Sequence, residues 1–446
     1  MAAIINTQLS NRAMDKARKR LVPFIILMYI LAFLDRANIG FAKQAFQIDT
    51  GISDAAFALG AGIFFLGYAV FEVPSNIIMH HVGARAWLAR IMVTWGLVSA
   101  GFAWVTTETQ FLTLRVLLGI AEAGFMPGIV YYFTYWFTER QRSSVMGLFW
   151  LGPPLAFIFG SPLSGLLLDM NGLFGFTGWQ WMFLVEGLLA AVVGVWGYWY
   201  LVDKPQDAEW IPEDEKRSLQ AEIEAENANK QLEHTSALKV LGNPKVWYLA
   251  AICFMIQVSN YGLNFYLPTH VAGLLGKKVG LMVGMVSAVP WICALVATVL
   301  LPRYSDKTGK RGTLAAAIIG TAGVGFIVSA TGNPLLGILA LCVVACGNLA
   351  CQPVFWTLPS RFLTGVAAAS GIAFINSVGN LGGFLAPNLR VWAEQTFHSP
   401  SAGLYAIAVS GFLAAALLLI SIPLGIGSNS KAAVDDAQAN EVQAKQ

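Results

Sequence analysis

Apolar runs of about 20 residues, separated by short polar stretches, recur twelve times along the chain, at 21–41, 55–79, 87–106, 110–133, 143–168, 180–201, 246–268, 279–301, 313–331, 335–357, 366–389 and 403–425. A helix of that length matches the hydrocarbon thickness of a bilayer, and a helix satisfies its own backbone hydrogen bonds where no water is available. The pattern predicts an all-α membrane protein with twelve transmembrane helices. An even number of spans places both termini on one side.

One long polar segment interrupts the pattern. Asp203 to Asn243 carries ten acids and includes EDEKRSLQAEIEAENANKQ, the pattern of a solvated helix. It divides the chain into a six-span bundle at 1–202, a linker at 203–245 expected to be a plain connection, and a second six-span bundle with a tail at 246–446. The halves also repeat. The loop after span 2 reads HHVGARAW, and the loop after span 8 reads SDKTGKRG; Gly83 and Gly309 hold equivalent places in them. Duplicated six-helix halves with a binding site between them are a known transporter plan.

Composition fits a lipid solvent: 56% of residues are apolar, 12% are charged and the mean hydropathy is +0.62, against about 25% charged in soluble domains. Of the 28 Lys and Arg, 21 fall in the tails and even-numbered loops if the N-terminus is inside; Lys43, Lys277, Lys278 and Arg390 fall outside, and Arg36, Arg90 near the start of span 3 and Arg115 within spans. Basic residues favour the cytoplasmic side, so both termini are expected in the cytoplasm of a multi-pass protein of the cell's inner membrane. The first apolar run is too long for a cleavable signal sequence. Cys253, Cys293, Cys342, Cys346 and Cys351 lie in apolar runs without metal or disulfide spacing. The five histidines form no helical ligand pair with an acid, and the phosphate-binding G-x-x-x-x-G-K-[ST] pattern is missing. These features exclude an ATP-driven pump and give no footing to an enzyme, a metal, a cofactor or a nucleic-acid partner. Nothing demands more than a monomer.

The chemistry lies in the charges inside spans. LVPFIILMYILAFLDRANIGFA, from Leu21 to Ala42, holds Asp35 and Arg36; span 4 holds Arg115 and Glu122, seven residues apart and so on one helical face. Ionised groups at membrane depth cost about 2.5 kcal/mol or more each, so four of them mark a polar pathway. Their charges sum to zero. An added carboxylate substrate takes the sum to minus one, and a proton on Asp35 or Glu122 restores neutrality. Burial disfavours a carboxylate while a neighbouring guanidinium favours it, so an acid between the two influences can exchange a proton. Asp35 and Glu122 are therefore the expected proton carriers, and Arg36 and Arg115 the expected anion contacts or tuners of those acids, since a guanidinium grips a carboxylate with two parallel hydrogen bonds. A purely structural ion-pair network is the alternative. Glu72, just before Pro74, is expected to be structural or gating, and Glu186, behind Trp179 and Trp181, to sit at the membrane interface.

The second half carries amides instead. Gln257, Asn260, Tyr261 and Asn264 follow helical spacing in span 7; Asn348, Gln352 and Trp356 do so in span 10, and Asn376 and Asn380 in span 11. Such groups suit a polyhydroxylated ligand, whose hydroxyls need donors and acceptors on leaving water. They serve equally as ties between helices. Tyr68 of span 2 is a further candidate for substrate contact. Gly152, Pro153, Pro154, Gly160, Pro162 and Gly165 in span 5, and Gly371, Gly379, Gly382, Gly383 and Pro387 in span 11, predict bends or close packing.

SDKTGKR resembles the Asp-Arg-x-Gly-Arg-Arg turn of the major facilitator superfamily, with Asp306, Gly309, Lys310 and Arg311 in matching places; the first-half copy keeps Arg85 but has His80 in place of the acid and Ala84 at a basic position. LDRANIGFA, GYAVFEVPSN, RVLLGIAEAGFMPG and WQWMFLVEG together resemble one branch, the anion:cation symporter family, and with LPRYSDKTGKR and CQPVFWTLPS they resemble its bacterial rhamnonate and tartrate type of sugar-acid permease. The resemblance implies the major facilitator fold, alternating access, proton-coupled import of an organic anion such as rhamnonate, another aldonate or tartrate, span 1 and span 4 acids as proton carriers, and Arg85, Asp306, Lys310 and Arg311 as gating residues. GSPLSG matches the antiporter mark only in part, with Ser161 before the proline, which disfavours efflux. An anion exchanger or uniporter, an aromatic-acid permease and a non-transporting receptor are the alternatives.

Overall fold

The structure, a computed structural model, describes residues 7–230, 242–359 and 365–426. Its regular elements among these residues are helical. They comprise α1 (Thr7–Thr50), α2 (Asp54–Val82), α3 (Ala84–Gly101), α4 (Glu108–Glu122), α5 (Phe125–Trp136), α6 (Glu139–Phe149), α7 (Gly152–Asp169), α8 (Gly178–Tyr200), α9 (Glu213–Lys230), α10 (Pro244–Leu275), α11 (Leu281–Thr308), α12 (Arg311–Ser329), α13 (Pro334–Phe355), α14 (Gly365–Asn380), α15 (Gly382–Thr396) and α16 (Pro400–Ser421). Among the described residues, eleven helical runs are long and apolar enough to cross a membrane. The twelfth expected window, 366–389, falls on α14 and α15, which break at Leu381 and are each too short to count alone.

The breaks follow local chemistry. In span 5 the chain interrupts at Trp150 and Leu151, beside Gly152-Pro153-Pro154, and in span 11 between Gly379 and Gly382-Gly383, where the sequence predicts bends. The span 4 run also breaks, which was not expected. It does so directly after Glu122, at Ala123 and Gly124. Gly124 has φ 86°, a left-handed conformation that favours glycine, and a Cβ there would lie 2.5 Å from Ser75 Oγ.

The two turn glycines behave alike. Gly83 (φ 98°) and Gly309 (φ 69°) each donate a backbone N–H to the carbonyl four residues earlier, Met79 and Ser305, at 2.9 Å. The carboxylate that His80 replaces is supplied from elsewhere: Asp203 Oδ1 accepts the Arg85 backbone N–H at 2.7 Å, and its Oδ2 lies 3.8 Å from Arg85 Nε. Arg85 therefore helps fix the start of α3. Asp203→Ala should lower the melting temperature by a few degrees in thermal unfolding, corresponding to loss of about 1 kcal/mol of helix capping. Lys310 precedes α12 and Arg311 begins it; the side chain of Asp306 lies outside the described residues.

The chain divides into two compact units, Met1–His234 with Val279–Gly284, and Thr235–Lys278 with Met285–Gln446. The polar segment is more than a tether over its described part, since α9 docks on the first unit. Lys16 Nζ donates to both Glu215 carboxylate oxygens at 2.9 and 2.8 Å, Trp210 stacks on Trp136, and Glu226 Oε2 accepts the Glu139 N–H that opens α6 at 2.9 Å. The remainder of the predicted linker, at 231–241, lies outside the described residues.

Candidate functional site

In the first unit, α1, α2, α4 and α8 carry the in-span acids, with Arg36 and Arg115, and α3 and α7 supply hydrogen-bond partners to them. Arg36 on α1 donates to Glu122 at the end of α4, and the Glu122 side chain is fully buried. This pair crosses between helices rather than joining neighbours in sequence. The rings of Phe33, Phe64 and Tyr68 stand 5.2, 5.5 and 5.4 Å from the Arg36 guanidinium carbon and form an aromatic wall around it. Tyr68 is buried there, which places its ring beside the arginine rather than against lipid.

Asp35 is held differently. It is 2% exposed, and its Oδ1 accepts from Ser99 Oγ on α3 and from Asn38 Nδ2 at 3.2 Å, while Oδ2 is buried without a hydrogen-bond partner. Both donors to Oδ1 are neutral side chains. Consecutive side chains on a helix diverge by about 100°, so Asp35 and Arg36 need not face one another. Asn38 is legible at i+3 from Asp35; Ser99 is not, because no local spacing links span 3 to span 1.

Arg115, expected to share its face and charge with Glu122, is committed elsewhere. Its Nε and a terminal nitrogen donate to the carbonyls of Gly60 and Ala61 on α2, at 2.8 and 3.1 Å, and the residue is buried. The geometry makes it a tie between α4 and α2 with a guanidinium near the acids. Arg36, with 18% of its side chain exposed, is the less buried of the two arginines.

Two acids are more deeply placed than their sequence positions imply. Glu186 was expected at the interface. Because Thr177 and Gln180 cap α8 at Gly178, Glu186 lies more than two turns inside that helix; it is 2% exposed, and Ser164 Oγ of α7 donates to it at 2.7 Å. Glu72 is 9% exposed within α2.

In the second unit Gln257 is the hub of an amide network. Its Oε1 accepts from Gln352 Nε2 at 2.8 Å and Asn260 Nδ2 at 3.4 Å, and its Nε2 donates to Asn380 Oδ1 at 3.5 Å. Spans 7, 10 and 11 thus converge as the stripes predict. Asn348 leaves the set: it is fully buried and bonds Ser259 Oγ at 2.7 Å, tying α13 to α10. Tyr261 is buried and stacked near Phe265, Asn264 is buried with its Oδ1 lacking a hydrogen-bond partner, and Asn376 and Trp356 stand outside these bonds. A cavity of about 740 Å³ in this unit, lined by Met255, Leu389, Trp392 and Tyr405 among others, contains no charged side chain and lies apart from the amides.

Comparison with known proteins bears on the family and the fold. The family model described as Major Facilitator Superfamily matches residues 25–387. The inner membrane transport protein RhmT of Escherichia coli (strain K12) is 50% identical over 412 residues, 92% of this chain and 96% of that protein. A provisionally named tartrate transporter of Agrobacterium vitis is 42% identical over 443 residues, 98% of this chain and 96% of that protein. The solved structure of the xylose transporter XylE from E. coli, in a partially occluded inward open conformation, shares the fold at a TM-score of 0.70 with 14% identity, covering 92% of this chain and 98% of that one.

Proposed function

The chain belongs to the major facilitator superfamily of transporters and is not an enzyme, and on that premise we propose that it imports an organic anion of the sugar-acid type together with a proton, across the inner membrane and with both termini in the cytoplasm. The carrying observation is the buried Arg36–Glu122 pair beside an Asp35 held by uncharged donors. A substrate carboxylate competes with Glu122 for the guanidinium of Arg36. The displaced carboxylate then needs a proton, because an uncompensated buried charge costs several kcal/mol. Counting Glu72 and Glu186, four buried acids within the described spans of this unit accompany one buried arginine, Arg115, and the part-buried Arg36, a deficit of positive charge that protons can fill.

Support for the substrate class is chemical. The Gln257 network offers donors and acceptors suited to hydroxyls, and a relative of high coverage is provisionally named for tartrate, a hydroxylated diacid. Purified protein in liposomes should accumulate tartrate or an aldonate above equilibrium when the outside is acid; equilibration without accumulation under that gradient would leave an exchanger or uniporter. Thermal-shift screening of aldonates, dicarboxylates and aromatic acids sorts the substrate class, with stabilisation by aromatic acids alone counting against the sugar-acid reading. Gln352→Leu should raise the half-saturation concentration about 5- to 10-fold, corresponding to about one lost hydrogen bond, with pH-driven accumulation at saturating substrate retained.

A further inference from the structure

Glu72 is a buried carboxyl to which the reading above gives only a share in the charge sum. Its Oε2 is enclosed and lacks a hydrogen-bond partner, and it lies one helical turn beyond Tyr68, whose ring flanks the Arg36 guanidinium. The charged and titratable groups around this part of α2 come from few places: α1 contributes Arg36 and Tyr29, α4 contributes Glu122, and Tyr68 is the titratable neighbour on α2 itself. Of these, Arg36 is the charge that acts electrostatically on Glu72. Arg36 is thus bonded to Glu122 and stands beside the Tyr68 ring, with Glu72 one helical turn further along α2.

We propose that Glu72 is the second seat of the Arg36 guanidinium, occupied when Glu122 is neutral and no substrate carboxylate is bound. An arginine among aromatic rings cannot lose its charge and keeps a counter-ion only by moving to another carboxylate. Its long side chain can reorient while its backbone stays in α1. Glu72 would then be a positioning residue, holding Arg36 away from a protonated Glu122 until a substrate carboxylate takes its place. The timing rests on the proton-coupled reading; the pairing itself does not.

The test reads the pairing without transport. Wild type, Glu122→Gln, Glu72→Gln and the double variant are purified in detergent and unfolded thermally at one pH. Each single variant leaves Arg36 one carboxylate, whereas the double leaves a buried guanidinium with neither. The double variant should melt roughly 5 °C or more below the sum of the single shifts. Additive shifts would overturn the proposal. If the double variant does not fold, Arg36→Gln is added to it: recovery of folded protein supports the pairing, and failure to recover overturns it. Uptake under a pH gradient, measured on the wild type, judges the symport reading separately, and a coupled melting cycle beside absent pH-driven uptake would remove that reading while leaving the charge exchange in place.

Discussion

Asp35→Asn and Glu122→Gln should each abolish the accumulation that an acid-outside gradient drives in proteoliposomes, while at least one of them still exchanges internal for external substrate. The sizes follow from charge. One proton carried with a singly charged anion moves no net charge, so a gradient of one pH unit supports about tenfold accumulation, and collapsing the membrane potential leaves that value unchanged. A variant without a proton site should fall to equilibration, losing the tenfold. Exchange needs only binding and the return of the loaded carrier. Glu122→Gln is the better placed to keep it, because an amide at 122 no longer holds the Arg36 guanidinium as a carboxylate does. Asn at 35 preserves an acceptor for Ser99 and Asn38. Undiminished pH-driven accumulation by both variants would refute their assignment as proton carriers.

Much of this architecture is legible in the chain because a bilayer imposes a simple rule on sequence. Twelve apolar windows translate into helices with little ambiguity, and the turn glycines Gly83 and Gly309 announce the repeat through a backbone conformation that other residues adopt at a cost. Asp35, Arg36, Arg115 and Glu122 stand out because charge inside a span is expensive. Their partners do not stand out. Which carboxylate meets which guanidinium depends on the rotation of each helix against its neighbours. Seven-residue spacing puts Arg115 and Glu122 on one face, yet Arg115 is spent on the carbonyls of Gly60 and Ala61, and Glu122 meets Arg36 from another helix. Glu186 was misplaced because its flanking tryptophans resemble an interfacial belt; Trp179 instead donates to Asp49 at 2.7 Å, within the same unit. Asp203 replaces a turn acid from more than a hundred residues away, a substitution that no local pattern reveals.

The division between the two arginines gives the second large effect. Arg36→Gln should weaken substrate binding by about 30-fold or more, since removing one member of a buried, hydrogen-bonded charge pair costs about 2–5 kcal/mol and the incoming carboxylate loses the same partner that Glu122 loses. Arg36→Lys should recover part of the loss, because an ammonium keeps the charge without the planar fork. Arg115→Gln should behave in the opposite way. It removes two hydrogen bonds from a charged donor to α2 carbonyls, so it should lower thermal stability by several degrees while changing substrate affinity by about threefold or less. Isothermal titration and thermal unfolding on the same preparations separate the two patterns. Equal losses of affinity at both positions would mean that the two guanidinia hold the anion together. Each arginine would then be a binding residue, and the backbone carbonyls of α2 would be only the place where Arg115 waits between substrates.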